Sequence, residues 1–295
     1  MKVLLTGATG FFGSSILKYL VSNGYEVVIL KRSSSDLFRI QEYINEVKVY
    51  DLDNNINSIL KIEKPPVIIH TACIYGKNNE TYEEIIKTNV DFPIELLQLG
   101  LENGLKTFIN TDTLLPKSIN IYSKSKSMFR DFLFTKHKQV QIVNIRIELM
   151  YGNYNSDQSF LTMLVKKIIN SKSNINLTYC EQERNLIHVD DVVSAYGIVL
   201  KKLNNIPIKT DFPLVSDYHV KLKKIILLIT SVIFKKTKID SEQRLLFGNV
   251  KYRKGELMKL DFNNNFISSL GWKPEINLKE GINDFVEKII NNESY

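Results

Sequence analysis

The glycine-rich segment Gly7-Ala8-Thr9-Gly10-Phe11-Phe12-Gly13 directly follows the short apolar run Lys2–Thr6. It opens a helical pattern through Leu17, Leu20 and Val21 that stops at Asn23-Gly24. Few features constrain a fold more tightly. Between a strand and a helix, Gly7 permits the tight turn, Gly10 lets the backbone approach a pyrophosphate, and Gly13 lets helix and sheet pack closely. The exposed N–H groups around Thr9, Phe11 and Phe12 and the positive end of the helix dipole then face the phosphates.

The same rhythm continues downstream. Tyr25–Leu30 is a β-branched-rich strand, and Ser33-Ser34-Ser35-Asp36 reads as a turn and N-cap for a following helix. Val47–Tyr50, Val67–His70, Thr107–Asn110 and Val140–Ile147 read as further buried strands, the Val67 strand preceded by Pro65-Pro66. Helices are expected over Tyr82–Asn103 and Tyr122–Lys136. Near-continuous apolar strands separated by helices predict an α/β fold with a doubly wound parallel sheet of the Rossmann kind. After Tyr151-Gly152 the rhythm weakens into a loop through Asn155 and Asp157, a helix over Phe160–Asn170 and short strands. A dinucleotide-binding domain is therefore expected over 1–150, with 186–216 returning to it. Residues 151–185 and 217–295 form a smaller substrate-binding lobe, and the two are expected to close over a cleft.

With 295 residues, 44% hydrophobic and 24% charged, the chain can bury a full core and lies outside disordered or fibrous compositions. Its two cysteines, Cys73 and Cys180, provide neither a disulfide framework nor zinc-site spacing, so a metal-free protein of a reducing compartment is expected. The run Ile225–Phe234 is half a bilayer span, interrupted by Thr230 and Ser231, and predicts a buried helix, not a membrane segment. Gly7 comes too early for a signal peptide, which points to the cytoplasm. The formal charge of +7 is spread over scattered lysines with no basic arm or aromatic-interleaved stripe. That favours a small anionic ligand over nucleic acid.

Where an NAD protein places an acid, about 20 residues beyond the glycines, stand Lys31 and Arg32. Cations there suit a 2′-phosphate, so NADP is expected over NAD, with nearby Asp36 as the contrary sign. Asp51-Leu52-Asp53 follows the third strand within reach of an adenine. Thr71-Ala72-Cys73 follows the fourth and lines the cofactor, Cys73 as a wall residue because no base is paired with it.

Tyr122-Ser123-Lys124-Ser125-Lys126 opens a helix, and the four-residue step puts Tyr122 and Lys126 on one face. A neighbouring ammonium, helped by an oxidised nicotinamide, favours the phenolate and lowers a pKa that starts near ~10, so Tyr122 is expected to exchange a proton near neutrality. Asn110-Thr111-Asp112-Thr113 ends the fifth strand, where Thr111 is the candidate to hydrogen-bond a substrate carbonyl. Arg184 precedes the Leu186–Val189 strand and is placed to grip phosphate bidentately. His70 and His188, flanked by apolar residues, read as structural, and Asp190-Asp191 as a turn that caps the next helix.

Together these motifs resemble the extended short-chain dehydrogenase/reductase family of nucleotide-sugar epimerases, dehydratases and reductases, over nearly the whole chain. The matching pieces are Thr6–Gly13, Asn89-Val90, Thr111-Asp112, Tyr122-x-x-x-Lys126, Arg146-x-Glu148-x-x-Tyr151-Gly152, Glu181–Val192 and Leu270-Gly271-Trp272-x-Pro274. Within the family, Asn110-Thr111-Asp112, Arg146-Ile147-Glu148, Glu181-Gln182-x-Arg184 and Glu256-Leu257-Met258 are similar to 4-ketosugar reductases of the CDP-abequose synthase type.

The resemblance implies a catalytic group of Thr111, Tyr122 and Lys126 with Asp112 beside it, and a cofactor contact at Asn89. It also implies substrate contacts at Tyr75, Thr113 and Glu148, with Arg184 and Arg253 facing the nucleotide pyrophosphate. Glu148 stands where asparagine is more usual. Thr113 stands where the dehydratases carry a glutamate base, which argues against dehydration. The implied activity is NADP(H)-dependent reduction of a 4-keto-6-deoxy or dideoxy hexose on a nucleotide, in surface-polysaccharide sugar synthesis. A 4-epimerase with retained NAD(P) and a dinucleotide-sensing protein without turnover are the alternatives. The family's usual homodimer would use the helices Tyr82–Asn103 and Tyr122–Lys136.

Overall fold

Apolar residues run without alternation through Val3-Leu4-Leu5, Val27–Leu30 and Val67–Ile69, and in the computed structural model each run is a buried strand. The structure describes residues 1–153, 155 and 157–293. In chain order the first elements are β1 (Lys2–Thr6), α1 (Phe11–Ser22), β2 (Glu26–Lys31), β3 (Lys48–Asp51), α2 (Ile56–Glu63) and β4 (Val67–His70). Next come α3 (Tyr82–Ile86), α4 (Phe92–Glu102), β5 (Thr107–Thr113), α5 (Ile121–Thr135) and β6 (Gln141–Ile147). The chain continues with β7 (Leu149–Tyr151), α6 (Phe160–Asn170), β8 (Ile175–Leu177), β9 (Glu183–Arg184), β10 (Leu186–His188) and α7 (Val189–Lys201). It ends with β11 (Lys209–Leu214), β12 (Val220–Lys221), α8 (Leu222–Thr237), β13 (Leu245–Phe247), α9 (Asn265–Ser269) and α10 (Leu278–Glu293).

Seven strands form one sheet in the order β11-β6-β5-β4-β1-β2-β3. Every neighbouring pair is parallel, as the doubly wound reading expects. Successive strands run outward in opposite directions from β1 and β4, so a crevice opens at the carboxyl ends of that pair. Leu4, Val28, Leu30, Ile68 and Phe108 of the sheet pack with Leu96 and Leu97 of α4 and Phe129 and Leu133 of α5.

The chain divides into two compact units. The first comprises Met1–Ile147, Val193–Leu214 and Asn265–Trp272, and contains the seven-stranded sheet. The second comprises Glu148–Val192, Val215–Asn264 and Lys273–Tyr295. Its own core gathers Leu161, Val165 and Ile168 of α6, Ile225, Ile226 and Ile229 of α8, and Ile282 and Phe285 of α10. The apolar run Ile225–Phe234 thus lies inside α8, and among the described residues no helix is long and apolar enough to cross a membrane.

Three local expectations are corrected. Asp36 does not cap an α-helix: its carboxylate accepts the Phe38 N–H at 3.0 Å, closing a short turn, and the helical segment that follows is the 3₁₀ stretch Gln41–Glu46. The helix expected over Tyr82–Asn103 is interrupted by a π-turn at Lys87–Asp91. Pro93 has no N–H for the Asn89 carbonyl and its ring crowds that oxygen, so the backbone widens just before α4. Asp190 and Asp191 lie inside the first turn of α7. Asp191 accepts the N–H groups of Glu275 and Ile276 at 2.9 and 3.2 Å, pinning that segment.

Candidate active site

The glycine loop is built as its spacing demands. Gly7 has φ +76°, and a Cβ there would lie 2.6 Å from Thr71 Oγ1 and 2.7 Å from the Ala72 nitrogen. At Gly13 a Cβ would stand 1.9 Å from the Gly7 carbonyl oxygen, so α1 and the loop touch backbone to backbone. At Gly10 a Cβ would meet only that carbonyl, at 3.3 Å, which leaves the start of α1 open. Gly10 is the N-cap of α1 and supplies no side-chain cap, so the first N–H groups of the helix are left for an anion. Thr9 lies in the loop and Phe11 in the first turn, whereas the Phe12 ring is buried and meets the Tyr196 ring edge-on with centroids 5.1 Å apart.

At the crevice, β4 is tied to β1. Thr71 donates its hydroxyl to the Thr6 carbonyl at 2.8 Å, and the Ala72 N–H reaches Thr6 Oγ1 at 3.4 Å. That hydroxyl also meets His70 Nδ1 at 2.8 Å. Burial and the Lys126 charge hold the His70 pKa well below the usual histidine range, so it is a neutral structural ring among Phe92, Phe108 and Phe129. Burial pushes the Cys73 thiol up, so it is no thiolate nucleophile.

The ends of β2 and β3 bring two of the expected cofactor residues together. Lys31 and Asp51 are register partners, and the lysine ammonium is in direct contact with the carboxylate. Lys31 is thereby neutralised by the residue expected at the adenine, and Leu52 beside it donates its N–H to the Lys31 carbonyl at 2.7 Å. Arg32 is exposed. Arg39 contributes a guanidinium 3.4 Å from the Thr9 carbonyl and over the Phe38 ring. It comes from the irregular stretch after β2, where no spacing rule singles it out.

Tyr122 and Lys126 lie on one face of α5, whose start is fixed by a capping box. Asn120 Oδ1 accepts the Ser123 N–H at 2.8 Å, and Ser123 Oγ accepts the Asn120 N–H at 3.3 Å. Lys126 is 2% exposed, and neither its amine nor the Tyr122 hydroxyl has a hydrogen-bond partner among the described residues. The Tyr75 ring lies against that of Tyr122, centroids 4.8 Å apart. The lowering of the Tyr122 pKa expected with an oxidised nicotinamide is not produced by the protein groups alone. Burial, with Cys73, Tyr75 and Asp112 adding to it, holds the phenol well above the usual range. The Lys126 charge instead bears on His70 and Cys73.

Thr111 meets Tyr196 Oη at 2.7 Å. Asp112, expected beside the catalytic group, has a side chain sealed from solvent. It accepts from Arg130 at 2.7 Å, Asn144 at 3.1 Å and the Thr113 N–H at 2.7 Å, which makes it a brace for the strand end. Thr113 is buried and accepts the Leu115 N–H at 3.2 Å. Asn89 has intramolecular partners. Its amide both accepts from and donates to the Ile74 backbone at 2.9 Å and donates to Ser125 at 3.0 Å, so it pins the Cys73–Tyr75 loop to α5.

In the second unit, Arg184 donates to Glu256 at 2.6 Å and to the Glu183 and Leu257 carbonyls at 2.8 Å, with Glu148 at 3.9 Å. Burial raises the Glu148 pKa against the Asn185 N–H, Arg184 and His219. Arg253 is exposed and also approaches Glu256, at 3.6 Å. The two arginines expected at a pyrophosphate thus meet one carboxylate, that of Glu256. Gln182 Oε1 and His219 Nε2 are buried without partners among the described residues.

Residues 3–214 match the model of the NAD dependent epimerase/dehydratase family. The chain is 30% identical to CDP-abequose synthase of Salmonella muenchen over 95% of both chains. It is 27% identical to the CDP-abequose synthase of Salmonella typhimurium, over 97% of this chain and 98% of that one. Among solved structures, UDP-glucuronic acid 4-epimerase from Bacillus cereus, in complex with UDP-glucuronic acid and NAD, superposes with a TM-score of 0.84 at 20% identity, covering 99% of this chain and 100% of that one.

Proposed function

Because the chain belongs to the NAD dependent epimerase/dehydratase family, we propose that it is an NADP(H)-dependent oxidoreductase reducing the 4-keto group of a 6-deoxy or dideoxy hexose carried on a nucleotide. Its similarity to two CDP-abequose synthases supports a role in making sugars for surface polysaccharides. The observation that carries the reading is the pair on α5: a phenol held in its protonated form one turn from a buried, unpartnered amine, beside an open glycine loop.

When bound, the reduced dinucleotide supplies the hydride. The glycine loop and the start of α1 hold its pyrophosphate, and Arg32 and Arg39 favour the 2′-phosphate of NADP over NAD. Tyr122 donates the proton to the carbonyl oxygen, for which the neutral phenol is the competent form. Lys126 steadies the phenolate left behind, and Thr111 hydrogen-bonds the carbonyl. Thr113 in place of a carboxylate base is consistent with reduction without elimination. Arg184 and Arg253 serve the diphosphate of the nucleotide sugar, in exchange for Glu256.

The test is NADPH oxidation across a panel of 4-ketohexose nucleotides, with product stereochemistry. Consumption with one C4 configuration formed is expected, and Tyr122→Phe should lower turnover by at least ~100-fold while keeping dinucleotide affinity. Interconversion at C4 without net NADPH consumption would make the protein an epimerase. No turnover by either form would make it a sensor.

A further inference from the structure

We infer that Tyr196 is the positioning residue for Thr111, donating its phenolic proton to that hydroxyl so that the threonine's own hydrogen is free to point at the substrate carbonyl. The role rests on the proposed 4-keto reduction. Tyr196 comes from α7, is fully buried, and has its hydroxyl 2.7 Å from Thr111 Oγ1. Among the described residues that contact is its only hydrogen bond.

The direction of the bond follows from counting protons. Each hydroxyl carries one hydrogen. Were Thr111 the donor, the Tyr196 hydrogen would be left unpaired in a buried site, a loss the structure avoids if Tyr196 donates. Thr111 then accepts, and a hydroxyl that accepts one hydrogen bond is a stronger donor in the next. Burial also keeps Tyr196 protonated, its pKa raised far beyond neutrality.

The ring has little room to move. It meets Phe12 of α1 edge-on, with centroids 5.1 Å apart and planes 72° apart. The next residue, Gly197, lies so near α1 that a Cβ would come within 2.3 Å of the Tyr19 hydroxyl. On the other side, Asp112 is braced by Arg130, Asn144 and the Thr113 N–H. Tyr196 therefore connects the helix opened by the glycine loop to the hydroxyl at the end of β5.

Tyr196→Phe removes one oxygen and keeps the ring against Phe12. It should lower kcat roughly tenfold, with KM and dinucleotide affinity unchanged. On a Thr111→Val background the same change should cost nothing more, because the group it acts through is gone. A second readout needs no turnover. Three-bond couplings to the Thr111 methyl, measured by NMR on the ligand-free protein, should report one χ1 rotamer in the wild type and averaging in Tyr196→Phe. Equal couplings in both proteins, or an equal kinetic loss with and without the Thr111 hydroxyl, overturn the assignment. If the wild type consumes no NADPH with any 4-ketosugar, the functional reading fails, and the couplings still decide the role of Tyr196.

Discussion

Lys126 keeps an amine almost wholly out of water with no hydrogen-bond or ion-pair partner among the described residues, an arrangement that opposes folding and favours a ligand with an acceptor to offer. Lys126→Met should therefore stabilise the ligand-free protein by ~1 kcal/mol, raising Tm by about 2–4 °C, while dinucleotide affinity falls at least ~10-fold. Thermal scans and a fluorescence titration check both halves. A lower Tm with unaltered affinity would show that the amine serves packing alone. Tyr122 carries a related lesson. A helical step of four predicts which side chains share a face, but the protonation of the phenol depends first on its burial and then on Cys73, Tyr75 and Asp112, which come from outside its helix.

At the scale of elements, the three glycines of the loop separate stability from binding. Gly13→Ala drives a methyl group into the Gly7 carbonyl and should cost ~3 kcal/mol or more of stability. Gly10→Ala meets one atom, the Gly7 carbonyl oxygen, at 3.3 Å, and should cost much less stability than Gly13→Ala while lowering dinucleotide affinity at the start of α1. Comparing unfolding with cofactor titration for the two variants tests the division.

Much at this scale was legible in the sequence. The limits expected for β1, β4 and α6 are those observed, since uninterrupted apolar runs and a 3.6-residue period leave little choice. The stretch after Ser33–Asp36 misled because Asp36 satisfies a short turn as readily as a helix N-cap. Pro93 inside the Tyr82–Asn103 pattern was the visible sign of a break. Arg39 and Tyr196 reach their partners from segments with no fixed spacing to the motifs, so nothing in the order of residues announces them.

Across the first unit as a whole, the two edges of the sheet are built differently. At the amino edge Glu63 is held by Lys2 at 2.9 Å, Lys48 at 3.0 Å and Tyr50 at 2.7 Å, joining α2 to the starts of β1 and β3. Burial alone would raise its pKa, but those donors overcome it and bring the carboxyl down to about 2. A folded pKa below the unfolded value contributes stability above about pH 4.5, lost progressively as pH falls toward 2. Glu63→Gln should thus be clearly less stable than wild type at pH 7, and the gap in Tm should narrow between pH 4.5 and 2.5. A constant gap would assign the loss to packing. The carboxyl edge keeps its Tyr122 hydroxyl and Lys126 amine uncommitted, as a surface that must accept a ligand does.

Asn110, Asn144 and Asp211 are register partners on β5, β6 and β11, joined side chain to side chain at 2.6 and 2.8 Å. Isoleucines and valines along these strands would tolerate a slide of two residues, because each apolar side chain would still find an apolar neighbour. The two amides would not, since both asparagines are fully buried and a slide takes them from their partners. The last strand of the sheet in chain order reaches β6 only after the chain has passed through the other unit, so the asparagine and aspartate rung works as a lock and key, admitting the returning strand in a single alignment.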